Sequence, residues 1–233
     1  MAGNKVLVLG GTGPAGICVV RELLHRKIGT IVFCRNPSKI PEDLANNALL
    51  EVVKGDLSAH DALSLAVAQS RAIISLLGPS REPQPRSFFA DWYRTIIPLM
   101  QKHGVSRLFA LGTNAIRRSD DQFSISRALT SGLIRIIANS GFQNILSIQE
   151  YFESVDNLQI EWTVFRLGML SGTSDAAAWS TDREQGEAYA GPVGATGYTL
   201  GVNRSVLARW LVDESLAKEP RWAYQMPAVS NRG

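Results

Sequence analysis

The sequence predicts an α/β fold with a doubly wound parallel sheet. Short apolar runs rich in β-branched residues, which are typical of buried strands, alternate with segments whose apolar residues recur at helical spacing. Strands that alternate with helices in this way form parallel sheets with right-handed crossovers. A glycine-rich loop between the first strand and the first helix fits the same arrangement. We expect strands over residues 5–9, 30–34, 50–54, 72–77, 107–111 and 161–165.

The segments between and after these strands predict helices and loops. Residues 78–86 contain three prolines in nine positions and are predicted to form a loop, as is the polar stretch 114–122. Residues 171–201 are expected to be loop with one short strand at most, and residues 221–224 a last strand. Helices are expected over residues 14–27, 59–69, 87–103, 203–218 and, with a break near Gly141, 124–154, with a short helix or turn over 37–47.

Composition and charge exclude several classes of function. The net charge is +3, from 24 basic and 21 acidic residues that are scattered along the chain, so no basic stripe indicates a nucleic-acid partner. No apolar run approaches the length of a membrane span, and the N-terminal residues do not follow the pattern of a signal peptide. We therefore expect a cytoplasmic protein that binds neither nucleic acid nor membrane.

The cysteines and histidines do not predict a metal site. Cys18 and Cys34 lack metal-type spacing, so we expect reduced, buried thiols. His25, His60 and His103 fall on predicted helices or at their ends, where they form neither a metal set nor a catalytic triad.

The glycine loop GGTGPAG predicts a dinucleotide site. Gly10 allows a sharp turn off the first strand, Gly13 leaves room for a pyrophosphate, and Gly16 lets the helix pack closely. The backbone N–H groups and the helix dipole then favour a diphosphate, and Thr12 adds a hydroxyl donor. A tight turn without a ligand is the alternative, but such a turn needs one glycine and this loop has four in seven residues. The residues assigned to the loop are Gly10, Thr12, Gly13, Pro14, Ala15 and Gly16.

The residues after the second strand favour NADP(H) over NAD(H). An acidic residue there would bind the ribose 2′-hydroxyl of NAD, but the stretch reads CRNPSK, with no carboxylate before Glu42. Arg35 can pair with a 2′-phosphate, and Lys39 is a second candidate cation. A solvated surface arginine remains the alternative.

The ends of the third and fourth strands add candidate contacts to the cofactor. Asp56 could accept the adenine amino group while Leu57 packs on the ring, or Asp56 could cap the following helix. Leu77, Gly78 and Pro79 follow the fourth strand, at the carboxyl edge of the sheet where ligands bind in such folds.

Several of these motifs resemble the atypical short-chain dehydrogenase/reductases, in particular the NmrA-like and biliverdin-reductase-B-like branch. The resemblance covers about residues 6–171 and more loosely the helix from residue 203. It implies one Rossmann-type NAD(P)-binding domain over 1–233, with a cofactor-binding core over about 5–170 and a small C-terminal substrate-binding appendage over about 171–233. The motifs that carry it are LGGTGPAG, CRNPSK, GDL, SLLGPS, LFALGT and WTVFRLGML.

The resemblance also implies where the nicotinamide lies. Gly112 and Thr113 would lie beside the ring, and Leu167 and Gly168 would close over it. The sequence departs from the branch in having Leu167 in place of its usual proline. Many members carry a lysine or histidine on the helix before the sixth strand, where this chain has Gln-Glu-Tyr at residues 149–151.

The catalytic residues are less well indicated than the cofactor site. None of the five tyrosines is followed four residues later by lysine, so the usual Tyr-x-x-x-Lys pair is missing. Hydride transfer itself needs only cofactor geometry and a polarised acceptor. Thr113 and Tyr151 are the candidate assisting groups and Glu150 a third, each with a purely structural role as the alternative.

These observations predict an NADP(H)-dependent oxidoreductase for a small apolar or aromatic compound, such as a quinone, a flavin or a conjugated carbonyl. The expected substrate loops contain Phe88, Phe89, Phe123 and Trp179, which favour an apolar acceptor. A non-catalytic NADP-sensing regulator and a non-redox isomerase, cyclase or dehydratase on the same fold are the alternatives. The sequence leaves the oligomeric state open.

Overall fold

The computed structural model describes residues 3–56, 58–78, 84–122, 139–155 and 160–233. Its strands are β1 Lys5–Leu9, β2 Thr30–Cys34, β3 Leu50–Lys54, β4 Ser70–Ser75, β5 Arg107–Thr113, β6 Glu161–Leu167, β7 Met169–Ser171, β8 Ala188–Gly191, β9 Gly201–Asn203 and β10 Ala228–Asn231. Eight of them form one sheet in the order β3-β2-β1-β4-β5-β6-β10-β8, and β7 pairs with β9. Within the large sheet all neighbours are parallel except β8, which runs antiparallel to β10.

Helices cover both faces of the large sheet, as expected for a Rossmann-type fold. The helices are α1 Pro14–His25, α2 Glu42–Ala45, α3 His60–Ala68, α4 Phe88–His103, α5 Asn139–Ser154, α6 Ala176–Asp182 and α7 Arg204–Leu216, with a short 3₁₀ turn over Pro37–Lys39. Helices α3, α4 and α5 pack on one face, and α1 and α7 on the other.

Strand β1 illustrates why these apolar runs form a buried sheet. Its side chains alternate between the two faces, so Leu7 and Leu9 join the core beneath α3 and α4, while Val6 and Val8 join the core beneath α1 and α7. A strand covered on both faces needs a continuous apolar run rather than an alternating one. This pattern is what allowed β1 to β3 to be predicted with their observed bounds.

Two predicted strands differ from the structure in position, and two others, β5 and β6, each extend two residues beyond their predicted ends, to Thr113 and Leu167. Strand β4 begins at Ser70 and ends at Ser75, rather than covering 72–77, because its neighbour β1 ends at Leu9, the register partner of Ser75. The predicted strand over 221–224 is wrong: these residues form turns, with Tyr224 at a φ of +60°, and the last strand is β10.

The region after β6 contains more regular structure than its composition indicated. Residues 171–201 include α6 and β8, and Asp175 caps α6 by accepting a hydrogen bond from the Ala178 amide at 2.9 Å. Helix α5 begins at Asn139, two residues before Gly141, and the residues that precede it lie outside the described ranges, so the predicted helix break near Gly141 stays a prediction. Much of the predicted helix over 124–154 lies outside the described residues.

No helix in the described ranges is both long enough and apolar enough to cross a membrane. The same ranges contain no cluster of three or more potential metal ligands. Both cysteines are free thiols and buried.

Candidate functional site

The glycine loop makes a tight turn between β1 and α1. Gly10 has a φ of +75°, a conformation that favours glycine, and a Cβ there would lie 3.0 Å from the backbone of Leu76. Its carbonyl oxygen accepts a hydrogen bond from the Gly13 amide at 3.1 Å. The loop therefore closes on itself and directs the start of α1 towards the carboxyl edge of the sheet.

The other glycines of the loop have different surroundings. A Cβ at Gly11 would lie 2.8 Å from a methyl group of Val32 on β2, so Gly11 is required for packing within the protein. Gly16 is likewise packed against the loop backbone. A Cβ at Gly13 would have only the Gly10 carbonyl oxygen within 4 Å, at 3.5 Å. The protein therefore leaves open space beside Gly13, which the approach of a pyrophosphate would require.

The N-terminus of α1 has the features of an anion site. Gly13 is its N-cap and offers no side-chain cap, Pro14 begins the helix, and the first turn has no acidic residue. Backbone N–H groups at a helix N-terminus need partners and carry partial positive charge. Ala15 lies in this first turn, so the residues assigned to the loop from sequence form one continuous structure.

A large cleft, hereafter the main cleft, opens at the carboxyl ends of β1 to β4 and has a volume of about 460 Å³. Seven of the residues predicted to bind the cofactor line it: Gly10, Thr12, Arg35, Lys39, Asp56, Leu77 and Gly78. The lining residues that the sequence analysis did not assign to the cofactor are Leu9, Phe33, Cys34, Asn36, Ser58, Gln84, Phe88, Phe89 and Trp92. Asn36 and Ser58 could have been found from their places just after β2 and β3, whereas Trp92 comes from the second turn of α4 and has no such signal.

Two cations stand at one side of the main cleft. Arg35 and Lys39 are both exposed, and neither side chain forms an ion pair or hydrogen bond with a residue in the described ranges. Arg35 follows β2 directly, and Lys39 ends the 3₁₀ turn. The two positive charges therefore remain available to an anionic ligand.

Asp56 does not cap α3, because the N-cap of that helix is Ala59 and it has no side-chain cap; Asp56 holds the preceding turn instead, and its predicted contact with adenine stays a prediction. Its Oδ1 accepts hydrogen bonds from the Ser58 amide at 2.9 Å and the Ser58 hydroxyl at 2.6 Å, in the turn before α3. These hydrogen bonds lower the pKa of Asp56, and the nearby charge of Arg35 lowers it further. Asp56 thus organises the turn and also lines the main cleft.

Comparison with known proteins gives this architecture a family. The chain matches the NAD(P)H-binding family over residues 10–214. It belongs to this family. A short-chain dehydrogenase/reductase from Veillonella parvula, in complex with NADP, has a similar fold, with a TM-score of 0.74 and 16% identity over 97% of this chain and 94% of that one. ChuY, described as an anaerobillin reductase from Escherichia coli O157:H7, has a TM-score of 0.66 and 17% identity over 97% and 96% of the two chains.

One curated relative is more similar in sequence over a shorter stretch. The oxidoreductase claK from Passalora fulva is 37% identical over 105 residues, which are 43% of this chain and 38% of that protein. The matched part therefore spans less than half the length of this relative. The family match therefore identifies the chain as an NAD(P)H-binding protein.

In this NAD(P)H-binding protein, the residues implied for the nicotinamide end lie together at the carboxyl ends of β5 and β6. Gly112 pairs with Arg166, and Thr113 pairs with Leu167, in the parallel register. The Asn114 amide donates to the Leu167 carbonyl at 3.0 Å. These residues are neighbours of the main cleft through β4, which pairs with β5, but they do not line it.

Some of the residues at the carboxyl ends of β5 and β6 are buried within the protein and are not exposed to a ligand. The Leu167 side chain is buried in the core, and Gly112 is buried as well. Gly168 is exposed, and its Cα packs against the Leu200 carbonyl, where a Cβ would lie 2.2 Å away. The Thr113 hydroxyl accepts a hydrogen bond from the Ala115 amide at 3.3 Å, which supports the turn after β5.

Neither of the two cavities described among the residues of known structure is lined by both Tyr151 and Thr113. Tyr151 lies on α5 and lines a second cavity of about 370 Å³ together with Arg94 of α4, whose guanidinium stands 5.1 Å from the Tyr151 ring centroid. Burial raises the pKa of Tyr151, although the charge of Arg94 opposes this. Glu150 lines the same cavity and stands 3.7 Å from Arg86. Tyr151 therefore lies away from the main cleft, and Thr113 lines neither of these two cavities.

The predicted aromatic residues are divided in the same way. Phe88 and Phe89 line the main cleft, as does Trp92. Trp179 packs instead against His25 of α1, with ring centroids 5.7 Å apart. Phe123 lies outside the described residues, as do Leu57 and Pro79 of the predicted cofactor site.

Several exposed apolar residues lie near the residues predicted to border the nicotinamide. Three large apolar side chains are exposed there: Met169 and Leu170 on β7, and Leu200 just before β9. The Met169 amide donates to the Leu200 carbonyl at 2.9 Å, so the backbones of Met169 and Leu200 are adjacent.

Proposed function

We propose that this protein is an NADP(H)-dependent oxidoreductase that reduces a small apolar or aromatic acceptor. The observation that carries the choice of cofactor is the pair of exposed cations at the side of the main cleft, Arg35 and Lys39, whose side chains form no ion pair or hydrogen bond with a described residue. A ribose 2′-phosphate carries nearly two negative charges and is bound well by an arginine fork. No carboxylate lies in the CRNPSK stretch to bind a free 2′-hydroxyl instead.

The remaining residues fit the rest of the dinucleotide. The open space beside Gly13 and the uncapped start of α1 suit a pyrophosphate. The Asp56 turn and Leu77 would hold the adenosine half in the main cleft. Gly112, Thr113 and Gly168 would then border the nicotinamide, at the adjoining strand ends.

The proposed chemistry is hydride transfer, which the reduced nicotinamide supplies when bound. The chain's own contribution is to orient the cofactor and hold an acceptor beside it. The Thr113 hydroxyl, at the end of β5, could donate a hydrogen bond to the acceptor while accepting one from the Ala115 amide. An apolar acceptor is supported by three exposed side chains, Met169, Leu170 and Leu200, because covering exposed apolar surface is favoured by the hydrophobic effect.

Binding and turnover together test this proposal. Fluorescence titration of the wild-type protein should give a Kd for NADPH at least about tenfold lower than for NADH, the contribution of one charge-assisted hydrogen bond. Loss of NADPH absorbance should then follow the addition of menadione, flavin mononucleotide or an enone. Tighter binding of NADH would contradict the cofactor assignment.

A non-catalytic NADP-sensing role is the second candidate. It is favoured because Tyr151, the tyrosine predicted to assist, lies away from the main cleft, and because no tyrosine is followed four residues later by lysine. Tight NADPH binding without oxidation of NADPH by any acceptor in the panel would support this role over the reductase.

A further inference from the structure

A buried ion pair joins β6 to the loop after β5. The Arg166 guanidinium contacts both carboxylate oxygens of Asp121, at 2.7 and 2.9 Å. The two side chains are only 1% and 3% exposed. Asp121 is held ionised, because the hydrogen bonds and charge of Arg166 keep its pKa well below the usual range in spite of burial.

The pair also binds the backbone of the loop on both sides. Arg166 donates to the Ile116 carbonyl at 3.0 Å, and Asp121 accepts from the Arg118 amide at 2.9 Å. These contacts span the loop over residues 114–122, hereafter the β5 loop, which begins directly after Thr113.

Two further contacts tie the pair to the C-terminal strands. Arg166 donates through Nε to the Met226 carbonyl just before β10, and Asp121 accepts from the Val193 amide just after β8, at 2.9 Å. The pair is thus the point where β6, the β5 loop and the segments next to β8 and β10 meet.

Gly112 lies beside the pair, as the register partner of Arg166. A Cβ at Gly112 would lie 2.8 Å from Val164 and 3.1 Å from Ile116, so the glycine leaves room for these two apolar side chains. Gly112 is therefore explained by packing beneath the strand end as well as by cofactor contact.

We propose that Arg166 and Asp121 are a positioning pair that fixes the β5 loop, and with it Thr113, against the end of β6. The proposal rests on the proposed reductase function for its effect on turnover. Buried ion pairs contribute little net stability, because both charges lose hydration. The bidentate contact between Arg166 and Asp121 is better explained by the single conformation that it imposes on the β5 loop. Neither residue is expected to touch the cofactor or the acceptor.

The same two strands offer a matched control. Arg107 and Glu161 are register partners at the amino ends of β5 and β6, and their side chains pair at 3.0 Å. A change there perturbs the same strands at the edge opposite the site. Glu161→Gln therefore reports what the loss of an ion pair does when the β5 loop is untouched.

The test compares Asp121→Asn and Arg166→Lys with Glu161→Gln and wild type. Limited trypsin digestion in the native state, read by mass spectrometry, should show cleavage after Arg117 or Arg118 accelerated by about tenfold or more in the first two variants, because local opening of the loop exposes these sites. Cleavage at Lys54 and Arg71, which lie elsewhere in the fold, should change by less than about twofold. Arg166→Lys keeps the buried cation and serves if Asp121→Asn does not fold.

Kinetics supply the second measurement. With menadione as acceptor, kcat should fall by at least about tenfold in both pair variants while the Kd for NADPH stays within about twofold, as expected when only positioning is lost. Equal acceleration of cleavage at all sites, or unchanged cleavage in the β5 loop, would overturn the proposal. So would a kcat equal to that of Glu161→Gln. If wild type neither binds NADPH nor reduces menadione, the proposed function fails, and the selectivity of cleavage still decides whether the pair fixes the loop.

Discussion

A Cβ added to Gly16 would lie 2.2 Å from the carbonyl oxygen of Gly10, which is too close for any side chain to be accommodated. Gly13, three residues earlier in the same loop, has room for a side chain within the protein. The two glycines therefore serve different ends. Gly16 is required by the fold, and we propose that Gly13 is required by the ligand.

Substitution should separate these two roles. Gly13→Val should leave the circular dichroism spectrum native and raise the Kd for NADPH by about a hundredfold or more, about 2.7 kcal/mol, because the side chain fills the proposed pyrophosphate space. Gly16→Ala should instead cost about 3 kcal/mol of stability through overpacking, measured by chemical denaturation. Unchanged NADPH affinity in Gly13→Val would contradict the assignment of the loop.

Arg35 should determine the preference for NADPH. Arg35→Ala should weaken NADPH binding by about ten- to a hundredfold, the loss of one charge-assisted hydrogen bond, and leave NADH nearly unchanged. Arg35→Asp should reverse the preference, because it repels the 2′-phosphate and accepts a hydrogen bond from a 2′-hydroxyl. Arg71→Ala, which removes an exposed arginine near the start of β4, is the control. A parallel loss for both cofactors would show that Arg35 acts elsewhere.

Thr113 and Tyr151 should respond differently to removal of their hydroxyl groups. Thr113→Val should lower kcat by at least about tenfold, the lower range of effects for an assisting polar group. Tyr151→Phe should keep kcat within about twofold, since Tyr151 lines the second cavity. Initial rates with saturating NADPH and menadione decide both. A large loss in Tyr151→Phe alone would mean that the second cavity holds the reacting group.

Glu22 should contribute to stability in a pH-dependent way. Its side chain is fully buried, yet hydrogen bonds from Arg183 and Arg26 outweigh the effect of burial and lower its pKa. A carboxyl group whose pKa is lowered by folding stabilises the protein above its unfolded pKa, and this contribution is lost as the pH falls through its folded pKa.

Glu22→Gln should therefore be less stable at pH 7 by about 2 kcal/mol, the contribution of hydrogen bonds to a charged group. It should also lose less stability than wild type between pH 5 and pH 3. Thermal melting across this range measures both quantities. Parallel curves for the two proteins would mean that Glu22 is not ionised in the folded state.

The sequence could predict those features that depend on neighbouring residues. Strands β1 to β3, the glycine loop and the position of Arg35 after β2 all follow from short-range spacing. The Arg166–Asp121 pair could not be found in this way, because its members are 45 residues apart and meet only when the sheet has formed. Strands β7 and β9 were missed because three residues are too few to display a period.

The location of β10 has a consequence for the order in which the protein folds. Strands β1, β2 and β3 are consecutive along the chain, and β2 pairs with both β1 and β3, so the half of the sheet that carries the glycine loop forms through single crossovers between consecutive strands. Strand β6 gains its outer neighbour only from β10, and Arg166 reaches Met226 across 60 residues. Contacts of long sequence separation form late, because loop closure must precede any gain from them. We expect β1 to β3 to form first during refolding and the pairing of β6 with β10 to follow. If NADPH binds to the glycine loop, it should stabilise the part that forms first and so increase the rate at which β10 joins β6.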